Sequence, residues 1–345
     1  MEVKDEGGKT MISVVIPIYR NEPFIDGLYS RLTDNISAIT VDFEIIFVDD
    51  RSPDNSWKLI ARIAEKDRRV KGIRFPRNFG QHFAIIAGVA HSSGDWVVVM
   101  DGDLQDRPEE IINLYNKALE GYDVVFARRQ IRKDNLYIKL CSRMFYKFFD
   151  FLVGSKSDAT VANFGIYSRK VIVNFNKLRE HSRLFPLFIN WLGFKTAYID
   201  VEHAQRSTGK SAYTIKKKMA LALDTIISMS NKPLKISIKI GLLLSFLSFL
   251  YGVFMIIKYL VWGIPVIGWT SLIVSLYFIG GLILSTLGIL GIYIGKIFDE
   301  VKNRPIYVID ETINLYVLEL NSLCLPEFLK INDGLKRIKN EEIRP

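Results

Sequence analysis

The sequence predicts an α/β protein with a mostly parallel, doubly wound sheet, followed by two long apolar helices. Two observations predict this fold. Between residues 12 and 200, short β-rich runs alternate with helical patterns, which is typical of a sheet covered by helices. From Tyr259 to Gly295 the chain has no charged residue. Because charged residues still make up 24% of the whole chain, we expect a polar domain joined to a membrane part.

The polar domain contains six predicted strands and four predicted helices. The strands are Ile12–Ile18, Phe43–Asp49, Val70–Arg74, Asp95–Met100, Val124–Ala127 and Phe164–Tyr167. The helices are Phe24–Ile39, Ser56–Lys66, Phe83–His91 and Pro108–Ala118. Ligands of such sheets bind at the carboxyl ends of the strands, so we expect the functional residues to follow strands.

The apolar part reads as two membrane spans, Ile236–Trp262 and Trp269–Ile297, joined by a turn that contains Pro265. As helices they are roughly 40 Å long, more than the ~30 Å hydrocarbon core, so we expect tilt or protruding ends. The alternative is a buried helical hairpin, but soluble core helices rarely run this long without charge.

Basic residues flank both spans, whereas the connecting turn has none. They are Lys232, Lys235 and Lys239 around the start of the first span and Lys296, Lys302 and Arg304 around the end of the second. The positive-inside rule therefore places both flanks in the cytoplasm. Met1–Thr10 is polar and lacks the pattern of a secretory signal. We expect both termini in the cytoplasm, with Cys141 and Cys324 as reduced thiols.

The segment before the spans, Tyr213–Ser230, reads as an amphipathic helix. Its apolar face includes Leu223 and Ile226, and three lysines crowd its start. This pattern predicts a helix lying on anionic headgroups. The alternative is an ordinary surface helix of the polar domain.

Several function classes are excluded. There is no G-x-G-x-x-G, so a dinucleotide site is not expected, and Gly209-Lys210-Ser211 lacks the earlier glycine of a P-loop because Ala204 stands there. Four His and two Cys form no zinc pattern. The net charge of +9 favours an anionic partner. Nucleic acid is not expected, because the basic residues cluster beside the spans.

Acidic residues follow two strands. Asp49-Asp50 ends the second strand, and Asp101-Gly102-Asp103-Leu104-Gln105 follows the fourth. Two carboxylates one residue apart, with a carboxamide beyond, suit Mg²⁺ or Mn²⁺, which prefer oxygen ligands. We expect the glycine between them to permit a tight turn. The alternative is a solvated turn, with Asp106 capping the helix that starts at Pro108.

Four motifs occur in order, each at a strand end. They are Pro17-Ile-Tyr19-Arg-Asn-Glu22, Val48-Asp49-Asp50-x-Ser52, Arg77-Asn78-Phe79-Gly80 and Asp101-Gly-Asp103-Leu-Gln105-Asp-x-Pro108-Glu109. Together they resemble the inverting glycosyltransferases of family 2, which have the GT-A fold. Within that family the chain more closely resembles the polyprenyl-phosphate glycosyltransferases, of the dolichol-phosphate mannose synthase and bactoprenol glucosyltransferase type. The resemblance runs from about Ile12 to Pro305.

The resemblance implies roles for individual residues. It places Pro17, Tyr19, Glu22, Asp49, Asp50, Asn78 and Asp101 in the nucleotide pocket, with Asp49 at the base. It places the metal on Asp101, Asp103 and Gln105. It places the lipid phosphate on Arg129 and Arg143, and Arg206 in the loop over the donor pyrophosphate. Guanidinium groups suit these phosphates because they bind bidentately and stay charged.

One position departs from the family pattern. Many relatives carry Asp where this chain has Asn163, before Phe164. A phosphate monoester has a second pKa of about 6, so an acceptor of this kind is already anionic near neutral pH and needs no base. Asn163 could orient the acceptor or the sugar, whereas Asp158 could supply the carboxylate in space.

The sequence therefore predicts a catalytic enzyme in four segments. These are a cytoplasmic GT-A domain (1–211), an interfacial helix (212–232), two transmembrane helices (233–298) and a cytoplasmic tail (299–345). The expected reaction transfers one sugar, with glucose from UDP-glucose favoured, to undecaprenyl phosphate at the bacterial inner membrane. UDP-GlcNAc, UDP-galactose, GDP-mannose or an aminoarabinose donor, a hydroxyl acceptor, and a non-catalytic membrane scaffold remain alternatives. The resemblance also implies an oligomer, such as a tetramer, in which the segment after Asn303 packs against a neighbouring protomer.

Overall fold

The computed structural model describes residues 10–129, 149–153, 161–178, 184–201, 225–262 and 268–315, together with residues 144, 147, 180 and 223. Within these ranges a single mixed sheet has eight strands in the order β7-β5-β6-β4-β1-β2-β3-β8. The strands are β1 (Ile12–Ile18), β2 (Phe43–Asp49), β3 (Val70–Arg74), β4 (Trp96–Val99), β5 (Val124–Arg129), β6 (Val161–Ser168), β7 (Thr196–Val201) and β8 (Glu311–Ile313).

The strand directions determine where functional residues meet. Strands β4, β1, β2 and β3 run parallel, and β5 runs parallel to β7. Strand β6 is antiparallel to both β4 and β5, and β8 is antiparallel to β3. The α/β sheet is thus confirmed, and the predicted bounds of β1, β2 and β3 match the structure.

Six helices cover the two faces of the sheet. They are α1 (Ile25–Ser37), α2 (Ser56–Lys66), α3 (Gln81–Ala90), α4 (Ile111–Leu119), α5 (Arg169–Asn176) and α6 (Phe185–Trp191). Helices α1, α2 and α4 pack on one face, where Val14 and Ile16 of β1 point. Helices α3, α5 and α6 pack on the other face, where Val15 points. The alternation along β1 therefore divides the domain into three layers.

Two long helices follow, α7 (Lys232–Trp262) and α8 (Trp269–Val301). Both are long and apolar enough to cross a membrane, and neither apolar window is buried. Large apolar side chains such as Leu260 and Tyr277 are 76% and 77% exposed. The helices extend four residues beyond the predicted spans at the outer ends, so that α7 begins at Lys232 and α8 ends just before Lys302.

The predicted interfacial helix lies largely outside the described residues. Its last turn, residues 225–229, is helical. There Ile226 is 7% exposed and packs against Leu152 and Val153, whereas Leu223 is 53% exposed. At the end of this apolar face, Ile226 thus packs on the protein and Leu223 is exposed, and the interfacial helix stays a prediction.

The segment after α8 returns to the sheet of its own chain. Ile306, Tyr307 and Ile309 pack against the α3 side of the core, and the ring of Tyr307 stacks on Phe75 at 5.5 Å. Strand β8 then pairs with β3. This segment thus contacts its own chain, and the sheet includes residues beyond the predicted domain boundary at residue 211. The expected contact with a neighbouring protomer stays a prediction.

Candidate nucleotide and metal site

The predicted site residues gather at the carboxyl edge of the parallel strands. Asp101, Tyr19 and Asp50 follow β4, β1 and β2, which are adjacent in the sheet. Three non-glycine residues just beyond these strands adopt left-handed backbone conformations, Arg20 (φ 60°), Arg51 (φ 57°) and Leu104 (φ 59°). Such conformations cost free energy and cluster at functional sites.

Close packing explains the glycine between the two aspartates. A Cβ atom on Gly102 would lie 2.8 Å from the Ile18 side chain and 3.3 Å from the Pro17 carbonyl oxygen. The turn thus packs directly on the end of β1, where Pro17 is buried. Gly102 is not among the residues with positive φ, and Leu104 takes that conformation. The glycine serves close approach, so the expected reason, freedom to turn, was wrong.

Asp103 and Gln105 face each other within this turn. The Gln105 backbone N–H donates to Asp103 Oδ1 at 3.1 Å, and its side-chain amide donates to Asp103 Oδ2 at 2.7 Å. Asp106 is 1% exposed and accepts the Asp101 backbone N–H at 3.3 Å. The turn Pro108–Glu110 is preceded by Arg107 without a side-chain cap. Asp106 therefore supports the acidic turn.

Two side-chain amides converge on one oxygen of Asp101. Gln81 Nε2 donates to Asp101 Oδ1 at 2.7 Å, and Asn163 Nδ2 lies 3.5 Å from the same atom. Asn163 reaches this edge because β6 is antiparallel, with Gly165 opposite Val99. Gln81 was missed by sequence reasoning, although its place at the start of a helix directly after the Arg77–Gly80 motif was a usable signal.

Asp49 is a fully buried carboxylate at the end of β2. It is 0% exposed, and its Oδ1 accepts the Ser52 backbone N–H at 3.0 Å. Its Oδ2 has no hydrogen-bond partner, and Arg74 Nε lies 3.4 Å from it. Burial raises the pKa of Asp49, and Ser52 and Arg74 only partly offset this. A buried acceptor atom with no donor is a reason to expect a ligand there.

Asp50 holds the neighbouring loop. Its two oxygens accept the backbone N–H groups of Phe79 and Gly80 at 2.6 and 2.8 Å. Asp50 is 3% exposed, and burial raises its pKa in spite of these hydrogen bonds. Gly80 has φ of 107°, which an L side chain rarely adopts. Asp50 therefore fixes the loop that carries the exposed Asn78.

Tyr19 and Glu22 lie on the loop after β1. The Tyr19 side chain is 44% exposed, with the Arg20 guanidinium 5.5 Å from its ring. Glu22 instead accepts the backbone and side-chain N–H groups of Asn55 at 2.9 and 3.1 Å. Tyr19 is thus presented to solvent at the site edge, whereas Glu22 joins two loops.

Other predicted residues lie outside the described part. Arg143, Arg206 and Asp158 fall there, and Arg129 is described only as the last residue of β5. Among the residues described, no cluster of three or more His, Cys, Asp or Glu could hold a metal ion. The acidic turn therefore offers two carboxylates and one carboxamide.

Comparison with known proteins decides the family. The model of "Glycosyl transferase family 2" matches residues 13–175. A bactoprenol glucosyl transferase derived from prophage SfII in Shigella flexneri is 38% identical over 87% of this chain and 98% of its own length. The chain belongs to glycosyl transferase family 2.

Further relatives cover the same length. An uncharacterized glycosyltransferase of Synechocystis sp. is 34% identical over 90% of this family 2 chain and 98% of its own. Among solved structures, glucosyl-3-phosphoglycerate synthase from Mycobacterium tuberculosis, in complex with Mn²⁺, uridine diphosphate and phosphoglyceric acid, is 18% identical with a TM-score of 0.47. The matched region covers 64% of this chain and 77% of the synthase.

Proposed function

We propose that this family 2 glycosyltransferase moves one sugar, glucose, from UDP-glucose to a polyprenyl phosphate at the cytoplasmic face of a bacterial inner membrane. The observation that carries the proposal is the shared edge of β4, β1 and β2. On that edge an acidic turn suited to a diphosphate and its metal follows β4, and Asp49, a buried acceptor with an unpaired oxygen, ends β2.

The acidic turn fits a divalent cation that arrives with the nucleotide. Asp101, Asp103 and Gln105 offer oxygen ligands but too few for a closed protein cage. Mg²⁺ and Mn²⁺ in such sites keep waters and share phosphate oxygens. When bound, the ion neutralises charge on the leaving diphosphate. The protein's part is to hold Asp101 and Asp103 in place through Gln81, Asn163 and Gln105.

Asp49 suits the base of the donor. Uracil presents an N–H group at N3, and a carboxylate accepts such a donor strongly. In a buried site an unpaired acceptor gains most from that hydrogen bond. Cytosine has an acceptor at N3 instead, so Asp49 would select uracil over cytosine. Guanine also carries donors on this edge, which keeps a GDP-sugar as the competing donor.

The acceptor argument rests on chemistry and on the relatives' names. Proteins named bactoprenol glucosyl transferases share 36–38% identity over most of this chain. Their names support a polyprenyl phosphate acceptor here, and helices α7 and α8 could bring the domain to such a lipid. An oxygen of the lipid phosphate attacks the anomeric carbon, the carbon–oxygen bond to the diphosphate breaks, and the nucleoside diphosphate leaves from the opposite side.

No proton transfer is needed in this step. The lipid phosphate carries negative charge near neutral pH because its second pKa is about 6. The neutral amide at Asn163, within 3.5 Å of Asp101, fits a site without a base. We assign binding of the lipid phosphate to Arg129 and Arg143 and of the donor pyrophosphate to Arg206. The alternative donors are UDP-GlcNAc, UDP-galactose, GDP-mannose and an aminoarabinose donor. We also propose that the protein forms a homo-oligomer, such as a tetramer.

A transfer assay tests this function. The full-length protein in membranes or detergent is given radiolabelled nucleotide-sugars one at a time, with undecaprenyl phosphate or with a sugar hydroxyl acceptor. We expect label in the lipid only with the phosphate, and most with UDP-glucose. Arg129→Ala and Arg143→Ala should raise the KM for the lipid about ten- to a hundred-fold, from about 1.5–3 kcal/mol per lost charged contact. Transfer to a hydroxyl acceptor alone would overturn the acceptor assignment.

A further inference from the structure

The strand that follows the membrane helices lies against the predicted nucleotide pocket. Strand β8 pairs with β3 so that Glu311 is opposite Arg74 and Ile313 is opposite Gly72. The Asp310 backbone N–H donates to the Arg74 carbonyl at 2.8 Å. Arg74 is the last residue of β3, at the carboxyl edge where the site lies. The last described segment of the chain thus borders the site formed by the first part.

Arg74 lies between two carboxylates. Its Nε is 3.4 Å from Asp49 Oδ2, and its Nη1 is 3.3 Å from Glu311 Oε1. The guanidinium also lies over the ring of Trp57, 5.6 Å from its centroid. Its side chain is only 22% exposed, so these contacts are partly shielded from water. The position of Arg74 therefore depends on Glu311 as well as on Asp49.

Glu311 is itself held in place. Trp57 Nε1 donates to Glu311 Oε2 at 2.8 Å, which leaves Oε1 to contact Arg74. At 3.4 Å the contact between Arg74 and Asp49 is an ion pair without a hydrogen bond, and Asp49 Oδ2 has no hydrogen-bond partner. Arg74 thus lies close enough to compensate the charge of Asp49, while the buried Asp49 oxygen stays without a hydrogen-bond donor.

We propose that Glu311 is a positioning residue of the nucleotide site, which acts through Arg74 to hold Asp49 ready for the N–H group of the donor base. This inference rests on the proposed role of Asp49. Without the Glu311 charge, Asp49 is the one remaining ion-pair partner of Arg74 among the residues that the structure describes, and Arg74 closes onto it as a hydrogen-bond donor. The base then has to displace Arg74 before it binds. The ligand class is a nucleotide whose base presents an N–H group, uracil first and guanine second.

The test uses the full-length protein in detergent, with UDP, CDP and GDP titrated calorimetrically in Mn²⁺. Glu311→Gln keeps the shape of the side chain and an acceptor for Trp57, but removes its charge. We expect Glu311→Gln to weaken UDP binding about ten-fold and to narrow the preference for UDP over CDP. In the transfer assay the KM for the donor should rise by a similar factor, while the KM for the lipid phosphate stays unchanged.

A matched control separates this role from simple docking of the strand. Asn314 donates from Nδ2 to the carbonyls of Ala64 and Val70 at 2.8 and 3.0 Å, so its side chain holds the strand by bonds that involve neither Arg74 nor Asp49. Asn314→Ala should lower thermal stability and leave UDP affinity near that of the wild type. Glu311→Asp, which restores the charge, should recover part of the lost affinity.

The outcomes are distinguishable from failure of the proposed function. If the wild type binds none of the three nucleotides, the function itself is wrong and this inference falls with it. If the wild type binds UDP or GDP and Glu311→Gln binds it equally well, only the role of Glu311 is overturned. Equal losses in Glu311→Gln and Asn314→Ala would also overturn it, because docking of β8 would then be the whole effect.

Discussion

Strand β2 carries a buried carboxylate near each end, and the two carboxylates differ in how many hydrogen-bond donors they have. Glu44, near its start, accepts hydrogen bonds from Ser13, Ser93 and Lys71 and is 1% exposed. Asp49, at its end, is 0% exposed and has an oxygen without a donor. The two side chains lie on one strand, so strand burial alone does not explain the difference.

The pKa values of the two groups express this contrast. Burial acts to raise the pKa of Glu44, but hydrogen bonds from Lys71, Ser13 and Ser93 together outweigh it and the pKa is lowered. Burial also raises the pKa of Asp49, and there the partners are too few to reverse it. The amino edge of the sheet thus provides its buried carboxylate with hydrogen-bond donors, whereas the carboxyl edge leaves one oxygen of Asp49 without a donor.

The largest expected effect is at the carboxyl edge. Asp103→Asn removes a ligand charge from a partly exposed turn, so transfer should fall roughly a hundred-fold or more while the fold is kept. EDTA should abolish wild-type transfer, and Mg²⁺ or Mn²⁺ should restore it. Transfer rates measured beside circular dichroism spectra check both parts. Full turnover of the variant in chelator would refute the metal assignment.

A substitution at the amino edge of the sheet should lower the stability of the protein and leave donor binding unchanged. Glu44→Ala leaves Lys71 and two serines without their shared acceptor, and loss of a buried charged network of this kind costs about 3 kcal/mol. We expect a lower thermal midpoint in detergent and an unchanged donor KM for the protein that remains folded. Glu44→Gln, which keeps the shape, should be milder. A donor KM that rises with unaltered stability would remove the distinction between the two edges.

Asp49→Asn should separate binding from stability at the carboxyl edge. The substitution removes a buried charge with few partners, so thermal stability should stay the same or rise. Affinity for UDP should fall about ten-fold, from the loss of a charge-assisted hydrogen bond of about 1.5 kcal/mol. Calorimetric titration of the full-length variant measures this. Wild-type affinity would show that the base binds elsewhere.

The smallest expected effect is the pH dependence of stability. Because the pKa of Glu44 is lowered by folding, its stabilisation is present above the unfolded pKa of about 4.3 and is lost as the pH falls through the folded value. The pKa of Asp49 is raised, so its protonated form favours folding in acid and that contribution is lost as the pH rises through the folded value.

Two variants test the directions of these two pKa shifts. The stability advantage of the wild type over Glu44→Gln should shrink as the solution is acidified below pH 4.3 or so. Any advantage of Asp49→Asn over the wild type should shrink in the same direction, because the wild-type carboxyl becomes neutral. Thermal midpoints across a series of acidic buffers measure both differences. Curves that remain parallel for either pair would contradict the assigned shift.

Local patterns predicted much of the fold. The bounds of β1, β2 and β3 match the structure because each is a β-rich run with sharp limits. The direction of β6 was not predictable, since its pairing depends on contacts far away in sequence. The role of β8 was missed for the same reason, because three residues of edge strand give no periodic signal.

The sequence predicted which residues lie at the site, but it did not predict most of the contacts between them. Asp49, Asp50, Asp101 and Asp103 lie on one edge, as expected of residues that follow adjacent parallel strands. The loop-holding role of Asp50 depends on the backbone of Phe79 and Gly80, which a motif does not reveal. Gln81 could have been suspected from its place directly after the Arg77–Gly80 motif, whereas the contacts of Arg74 depend on tertiary geometry, and neither spacing nor composition singles it out.

The pairing of β3 with β8 has a consequence for biosynthesis. Glu311 is 237 residues from Arg74 along the chain. Domains fold as they emerge during synthesis, so β3 is an open edge until the ribosome has made both apolar helices. Open strand edges invite wrong pairing. The edge is closed only when the segment beyond α8 appears, so both apolar helices are synthesised before the sheet is complete. A nascent chain stalled before that point would carry the acidic turn but not the finished pocket wall.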